Sequence, residues 1–200
     1  GYLGGQAGAS AMMNVLTGKV CPSGKLNETY PLHYEDTPAF HYYPSKERSS
    51  EYREALYVGY RYYTTVGKKV RFPFGYGLSY TRFDYGDVKL SANKMNEKGR
   101  LTATVTVTNS GDRDGYEVVQ LYIRDVAASI IRPLKELKGF QKVFIKAGQS
   151  VDIDFEITPE LLKFYNYDLN YVCEPGDFEV MIGCNCEQLK SAKFTLVESM

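Results

Sequence analysis

The stretch LTATVTVT, residues 101–108, alternates an apolar side chain with a threonine at every step. This period of two is typical of a β-strand with one buried face, because successive side chains of a strand point to opposite faces. Threonine and valine also favour strands, since their branched β-carbons pack well on a pleated surface. The turn-forming sequence NSGD, residues 109–112, follows directly. We therefore predict that residues 101–108 form a half-buried strand that ends at this turn.

The same alternation recurs on both sides of this strand, with turn-forming sequences such as EPGD at 174–177 between the segments. It predicts further strands at residues 83–90, 119–123, 137–145, 151–157, 178–182 and 192–196. The stretch PELL, residues 159–162, is typical of a single helical turn. About seven short strands separated by turns are the profile of an immunoglobulin-like β-sandwich. We therefore predict a mainly β fold.

The first residues show a different pattern. Apolar residues at helical spacing form one stripe, which consists of Ala7, Ala11, Met12, Val15 and Leu16. This stripe predicts a helix over residues 6–17 that ends at Gly18. An isolated helix of this length is marginal in water, so its stripe needs a packing partner. Because the rest of the sequence predicts no matching helix, we expect that partner to be a domain outside these residues.

The segment 32–71 lacks apolar periodicity and carries mixed charges, which is unusual for so long a stretch within a compact domain. Disordered segments are poor in aromatic residues, whereas this one contains a dense group of tyrosines, Tyr57, Tyr60, Tyr62 and Tyr63. We therefore interpret it as an ordered arm that lies on other surfaces. These patterns divide the chain into residues 1–31, an arm at 32–75 and a β-sandwich domain at 76–200.

The composition argues against several classes of function. The 24 lysines and arginines balance 24 aspartates and glutamates, so the chain lacks the basic surplus of most nucleic-acid binders. It also lacks a run of about eighteen apolar residues that could span a membrane. We therefore expect neither nucleic-acid nor membrane partners. The 18 tyrosines and the absence of tryptophan fit strand composition, although a platform of stacked aromatic rings that binds carbohydrate is an alternative.

The cysteines and histidines do not form a metal-binding pattern. The four cysteines are Cys21, Cys173, Cys184 and Cys186. The last two form a C-x-C pair, but a zinc site needs further ligands at suitable spacing, and the only histidines, His33 and His41, lie in the distant arm. We therefore predict reduced structural thiols and neither a metal nor another cofactor. So few cysteines favour a reducing compartment such as the cytoplasm, without deciding the localisation.

Three longer stretches carry a more specific pattern. They are GGQAGASAMMNVLTGKVCPSGKLNETYP at 4–31, YVGYRYYTTVGKKVRFPFGYGLSYTRFDY at 57–85, and VTNSGDRDGYEVVQLYIRD with RPLKELKGFQKV between 107 and 143. The second contains FPFGYGLSYT, residues 72–81, which is the most specific motif of the three. In this order, and over essentially the whole chain, they resemble the C-terminal part of glycoside hydrolase family 3, a β-glucosidase-like family.

The resemblance implies a domain organisation and a function. It implies that residues 1–31 end an α/β sandwich domain, that the arm is a connector, and that residues 76–200 form a fibronectin-III-like β-sandwich. The whole enzyme would remove terminal β-linked sugars with retention, as a β-glucosidase does, with β-xylosidase specificity left open. Its implied partners are the catalytic barrel and α/β domains, together with a β-linked glucoside as substrate, and a homo-oligomer stays open.

The resemblance implies no catalytic residue in this chain. In the family, an aspartate nucleophile lies on the barrel and an acid/base glutamate lies on a loop of the α/β domain, and no stretch here matches either. Retaining hydrolysis needs two carboxyl groups about 5–5.5 Å apart in opposite protonation states. Asp152, Asp154 and Glu156 alternate along the predicted solvent face of a strand, where acidic residues mostly serve solvation. We therefore predict that this segment alone is inactive, and its binding residues stay unknown.

Two smaller features leave alternatives open. The stretch FPFGYG, residues 72–77, predicts a tight corner that pins the arm to the sandwich with Phe72 and Phe74 both buried, although a sugar-stacking rim is an alternative. His33 and His41 could reach the cleft of a neighbouring domain, but lone loop histidines are more often surface groups. A function from another class is a non-catalytic module that holds polysaccharide or protein through the sandwich or the arm.

Overall fold

The computed structural model describes Tyr2, residues 4–45 and residues 48–198. The helices are α1 (Gly8–Leu16), α2 (Tyr60–Val66) and α3 (Pro159–Leu162), with a 3-10 turn at Tyr34–Asp36. The strands are β1 (Tyr30–Pro31), β2 (Val70–Phe72), β3 (Phe83–Tyr85), β4 (Lys89–Leu90), β5 (Lys94–Asn96), β6 (Leu101–Asn109), β7 (Gly115–Asp125), β8 (Glu136–Ile145), β9 (Ser150–Ile157), β10 (Phe164–Tyr165), β11 (Tyr171–Val172), β12 (Gly176–Gly183) and β13 (Leu189–Val197).

The strands from β3 onward form a β-sandwich. One sheet has the order β5-β13-β12-β7-β8, and in the other β6 pairs with β3, β4 and β9. All of these pairs are antiparallel except β5 with β13. Side chains of β6, β7, β9, β12 and β13 fill the core between the two sheets. The predicted mainly β fold is therefore confirmed.

The alternation of residues 101–108 has the predicted consequence in β6. Leu101, Ala103, Val105 and Val107 are buried in the core. The threonines between them face outward, where Thr104 and Thr106 donate hydrogen bonds to Asp154 and Asp152 of β9. Cross-strand pairs of this kind stabilise the outer face of a sheet.

Several elements differ from the sequence predictions. The predicted strand at 83–90 is divided into β3 and β4, which both pair with β6 and are separated by residues 86–88. The helix α2 and the short strands β1, β2, β5, β10 and β11 were not predicted. They are too short to show a clear period, and β1, β2 and β5 also pair with strands far away in the sequence.

Helix α1 lies within the predicted range and ends as predicted, with Gly18 at a φ of +73°. None of its side chains is buried against the described residues. Leu16 of its apolar stripe is 75% exposed, and Met12 and Met13 are exposed as well. Among the described residues, no helix combines the length and apolar character of a membrane span.

Candidate functional site

The corner at residues 72–77 joins the sandwich to the arm and to the first segment, which is the part of the chain before residue 32. Leu26 donates its N–H to the Tyr76 carbonyl, and its own carbonyl accepts from the Gly75 N–H, each at 2.8 Å. From β7, the Gln120 Nε2 donates to the Gly75 carbonyl at 3.2 Å. Gly75 has a φ of +79°, and a Cβ at this position would overlap the Gln120 side chain. The corner therefore requires glycine for both its backbone conformation and its close contact with β7.

Three aromatic rings cover the outer face of β7 beside this corner. The ring centroid of Tyr60 in α2 lies 4.8 Å from that of Phe74 and 5.8 Å from that of Tyr122. The Tyr122 hydroxyl donates to the Gln120 Oε1 at 2.6 Å, and the Tyr60 hydroxyl accepts from the Leu137 N–H at 2.8 Å. The arm thus forms a second, smaller core on the outside of the sandwich. It buries β7 residues that the period of two assigns to solvent.

A buried ion pair fastens the first segment to the sandwich. The Lys25 Nζ lies 3.0 Å from the Glu117 Oε1, and the Tyr85 hydroxyl donates to the same oxygen at 2.9 Å. Burial, reinforced by the neighbouring Glu117 carboxylate, raises the pKa of the Tyr85 hydroxyl well above its usual range. Tyr85 therefore keeps its proton and remains a donor. Two partners on one buried carboxylate compensate its charge and fix the position of Lys25 relative to β7.

An apolar groove of about 620 Å³ lies beside this ion pair. Tyr30, Phe72 and Leu78 contribute to its walls, and the Tyr30 and Phe72 rings meet edge to face. The Tyr80 hydroxyl donates to the Val15 carbonyl at 2.8 Å, which holds the C-terminal end of α1 close to the segment that lines the groove. The exposed stripe of α1 and this groove are thus linked through residues 78–80, and both present apolar side chains to the outside.

The buried carboxyl groups elsewhere in the sandwich belong to a cluster around Arg132. Its guanidinium lies 2.9 Å from the Asp125 carboxylate and 2.6 Å from the Glu136 carboxylate, and its Cζ lies 4.6 Å from the Phe164 ring centroid. Burial raises the pKa of Asp125, with Arg132 acting against it. Burial also acts to raise the pKa of Glu136, but Lys138 and Arg132 together lower it. Although the two pKa values shift in opposite directions, the arginine between the carboxylates makes this a structural cluster.

The carboxylates of β9 lie on the surface. Asp152 and Asp154 accept hydrogen bonds from threonines of β6, and Glu156 forms an exposed ion pair with Arg100 at 3.2 Å. This arrangement on one solvent-facing strand offers no closed site that could grip a sugar ring. The absence of a catalytic pair from this chain stays a prediction, and the surface position of these three acids supports it.

The cysteines behave as structural residues. All four are free, and Cys21 Sγ lies 3.2 Å from the Ser79 hydroxyl at the base of the first segment. Burial raises the pKa of the Cys186 thiol to about 11, although Lys135 acts against this shift. Burial also raises the pKa of the Cys184 thiol. Both thiols therefore remain protonated near neutral pH and are poor nucleophiles. The described residues contain no group of three potential ligands that could hold a metal ion.

One prediction about the aromatic corner is wrong. Phe74 is half-buried beneath α2, but Phe72 is 37% exposed and faces the groove instead of the core. Phe72 ends β2 and lines the open groove, whereas Phe74 lies beyond the strand and packs against Tyr60 of α2. The histidines lie in the arm as expected. Both are exposed, and the His33 N–H is capped by the Asp36 carboxylate at 3.1 Å.

Comparisons with known proteins match two parts of the chain. Residues 1–80 match the model of the glycosyl hydrolase family 3 C-terminal domain, and residues 117–186 match that of the fibronectin type III-like domain. The thermostable β-glucosidase B of Acetivibrio thermocellus is 43% identical over 183 residues, which is 91% of this chain and 24% of that protein. The chain belongs to glycoside hydrolase family 3. It corresponds to the C-terminal region of this family, as the sequence predicts.

Other members of glycoside hydrolase family 3 agree with this assignment. The crystal structure of the Bifidobacterium adolescentis family 3 β-glucosidase superimposes with a TM-score of 0.88 at 39% identity, covering 96% of this chain and 28% of that one. An exo-α-(1→6)-L-arabinopyranosidase of Bifidobacterium longum is 38% identical over 94% of this chain and 25% of its own length. The chain thus spans about a quarter of the relatives that it matches, and relatives of similar identity are named for different sugars.

Proposed function

We propose that this chain is a structural part of an enzyme that removes terminal β-linked glucose units. In this proposal, the catalytic carboxylates lie on a barrel domain and an α/β domain that the chain itself does not supply. The names of the β-glucosidase relatives support the activity, and the surface position of Asp152, Asp154 and Glu156 supports the structural role. The division at 1–31, 32–75 and 76–200 is part of this proposal.

The observation that carries the proposal is the uncovered apolar surface of the first segment. The stripe of α1 and the walls of the groove are both apolar and exposed, although the sandwich is closely packed, and the hydrogen bond from Tyr80 to Val15 ties α1 to the segment that lines the groove. Single exposed apolar residues need no explanation, but a contiguous apolar patch marks a contact surface. A helix with no buried side chain also gains little stability from its own chain. The rest of an α/β domain would cover both the stripe of α1 and the groove.

In this role, the contacts between the first segment and β7, which form the junction, would orient a neighbouring domain. The Lys25–Glu117 ion pair and the corner at Gly75 fix the first segment against β7. If that segment ends the α/β domain, these contacts also fix the orientation of the domain that would carry the acid/base residue. Displacements of about 1 Å at a catalytic group can reduce rates by about a hundredfold. The sandwich would then contribute to catalysis by holding its neighbours in position.

A direct experiment is to extend the reading frame on both sides of these residues and to express the longer protein and this chain separately. Both are incubated with the nitrophenyl β-glucoside, β-xyloside and α-L-arabinopyranoside. We expect the longer protein to release nitrophenol fastest from the β-glucoside and this chain to release none above background. Turnover by the chain alone would refute its structural role. Preference for another glycoside would leave the role intact and correct the sugar.

The alternative of a non-catalytic binding module has one observation in its favour, which is the exposed aromatic hairpin of β10 and β11. The exposed stripe of α1 weighs against a free-standing module, because such a module has no use for an uncovered amphipathic helix. Light scattering separates the two hypotheses. A chain that stays monomeric and binds no dye for apolar surfaces would favour the module, whereas dye binding that the longer protein lacks would favour the structural part.

A further inference from the structure

The hairpin formed by β10 and β11 is rigid at its base and closed by a short turn. Phe164 is buried beneath the Arg132 guanidinium, which lies 4.6 Å from its ring centroid. In the turn, the Leu169 N–H donates to the Asn166 carbonyl at 3.0 Å. The Asn166 Oδ1 accepts from the backbone N–H groups of Asp168 and Asn170 at 3.1 and 3.0 Å. The tip is therefore held in one shape by its own hydrogen bonds.

This rigid tip presents aromatic and apolar side chains to the outside. Tyr167 is 91% exposed and Leu169 is 79% exposed, and Tyr165 is also exposed. The Tyr165 and Tyr171 ring centroids lie 4.9 Å apart across the two strands with the planes tilted by 38°. The Tyr165 and Tyr171 rings thus pair at the surface, where the Lys163 Nζ lies over the Tyr171 ring at 5.5 Å from its centroid, and the Tyr167 ring is left open.

Leu169 is the most informative residue of the tip. Its φ is +61°, in the left-handed region that favours glycine or asparagine. In a three-residue hairpin loop this is the position at which glycine is usual. The exposed leucine side chain gains no packing that would compensate for this backbone conformation. Strained residues of this kind concentrate at ligand contacts, so the side chain is best explained by something that it touches outside the chain.

The chemistry of the tip fits a neutral ligand rich in hydroxyl groups. Along the sequence YNYDLNY, residues 165–171, ring or apolar side chains alternate with amides and one carboxylate. The side chains of Asp168 and Asn170 make no hydrogen bond to the part of the chain that the structure describes, so their donors and acceptors are free. The Lys163 ammonium, which lies 5.5 Å from the Tyr171 ring centroid, is paired with the Glu160 carboxylate at 2.7 Å. An anionic polymer or membrane surface would have to compete with Glu160 for this ammonium.

We infer that the tip of this hairpin binds chains of neutral sugars, with the tyrosine rings stacked on the apolar faces of the sugar rings and the free polar groups of Asp168 and Asn170 bonded to hydroxyls. Tyrosine suits this role because its ring offers a large rigid contact area and its hydroxyl a polar handle. The choice of a β-linked glucan as the sugar chain rests on the proposed function. The site would hold a polymeric substrate near the enzyme without taking part in hydrolysis.

The experiment uses this chain with soluble cellohexaose and insoluble cellulose as probes. Titration with cellohexaose is followed by shifts of the tyrosine resonances, and retention on cellulose is followed by sedimentation. We expect Tyr167→Ala to weaken binding about fivefold or more, which is the loss expected for one aromatic stack. The matched control is Tyr52→Ala, which removes a tyrosine of the arm that is 90% exposed and lies outside the hairpin. This control is expected to bind as the unchanged chain does.

Leu169→Gly gives a second and independent readout. Glycine accepts the left-handed backbone, so this variant is expected to melt at the same or a higher temperature while it binds cellohexaose more weakly. A gain in stability together with a loss of binding would support a functional role for the strained leucine. Unchanged binding in both hairpin variants would overturn the inference.

The remaining outcomes are also decisive. Absence of any binding to both probes would overturn the inference, and so would a dimer that dissociates on Tyr167→Ala, because the occupant would then be a second copy. Retention on neutral lipid vesicles instead of cellulose would assign the tip to a membrane surface. Hydrolysis by the longer protein is measured separately, so a failure of the hairpin inference and a failure of the proposed function can be told apart.

Discussion

Strand β6 and helix α1 are both amphipathic elements with a clear apolar face, but the structure covers only one of them. The apolar side of β6 lies in the core between two sheets of its own chain. On the apolar side of α1, Met12 and Leu16 are exposed and Val15 is only half-buried by the described residues. The apolar periodicity of a segment therefore identifies the face that is to be buried. It does not identify the element that buries this face, because that depends on the rest of the fold. The sandwich thus covers its own apolar faces, whereas the stripe of α1 is the face that the proposed neighbouring domain would cover.

The largest effect is expected from the sandwich core. Phe178 of β12 is buried, and its ring is stacked on Phe194 at 5.4 Å. We expect Phe178→Ala to lower the free energy of unfolding by about 3–5 kcal/mol, because it removes a large buried side chain and leaves a cavity. Urea denaturation of the chain measures this loss. The control is Phe140→Ala on the exposed face of β8, for which a change below about 1 kcal/mol is expected.

A smaller effect is expected at the ion pair that joins the two regions. Lys25→Met leaves the Glu117 carboxylate buried with only Tyr85 as a partner. Loss of one partner from a buried ion pair typically costs about 3 kcal/mol, because the other charge stays buried without compensation. Water that reaches the remaining carboxylate lowers this cost. Arg100→Met removes the exposed ion pair with Glu156 and should change stability by less than about 0.5 kcal/mol. Equal effects of the two substitutions in urea denaturation would contradict a specific role for the buried pair.

The fold could be predicted largely from local patterns. The alternation in residues 101–108 and 151–157 needs only nearest neighbours, and both segments form strands with the expected buried face. Helix α1 is equally local, since its stripe and its terminating Gly18 lie within a few turns. The short strands could not be predicted because two or three residues show no period. Their existence depends on partners such as Tyr30 with Phe72, which are distant in the sequence.

The junction could be predicted only in part. The sequence FPFGYG indicates a corner, and Gly75 occupies it as a glycine must. The outer face of β7 escaped prediction because Gln120 and Tyr122 read as solvent-facing residues of a half-buried strand. They are buried by Tyr60 of the arm, and neither the position nor the helical structure of that segment follows from periodicity. Phe72 was assigned to the core for the same reason, since the pattern does not show which side of the corner is covered.

The dependence of stability on pH above neutrality tests the same junction, because the Tyr85 hydroxyl beside Glu117 can lose its proton at high pH. Burial together with Glu117 raises the pKa of Tyr85 in the folded state above the usual value of about 10. Above this pH the unfolded chain loses the proton and the folded chain keeps it, so stability falls as pH rises, by at most about 1.4 kcal/mol per pH unit. Below pH 10 this contribution is fully present. We expect Tyr85→Phe to reduce stability at pH 7 and to flatten the decline above pH 10, as measured by urea denaturation at a series of pH values. An unchanged slope would mean that Tyr85 already titrates normally in the folded chain.

The smallest effect is expected from α1 in this chain, and it gives the sharpest test of the comparison. The double substitution of Met12→Ala and Leu16→Ala keeps or improves helix propensity while it removes the exposed apolar stripe. In the 200-residue chain, we expect the free energy of unfolding to change by less than about 0.5 kcal/mol, because both side chains are more than half exposed. In the longer protein, the same change should cost about 2 kcal/mol or more and lower the hydrolysis of β-glucoside, since it would leave a cavity in the contact with the next domain. A loss above about 1 kcal/mol in the chain alone would show that α1 is covered by its own sandwich in solution. An equally small effect in both proteins would show that no domain covers this face, and the association assigned to the first segment would then have to lie elsewhere.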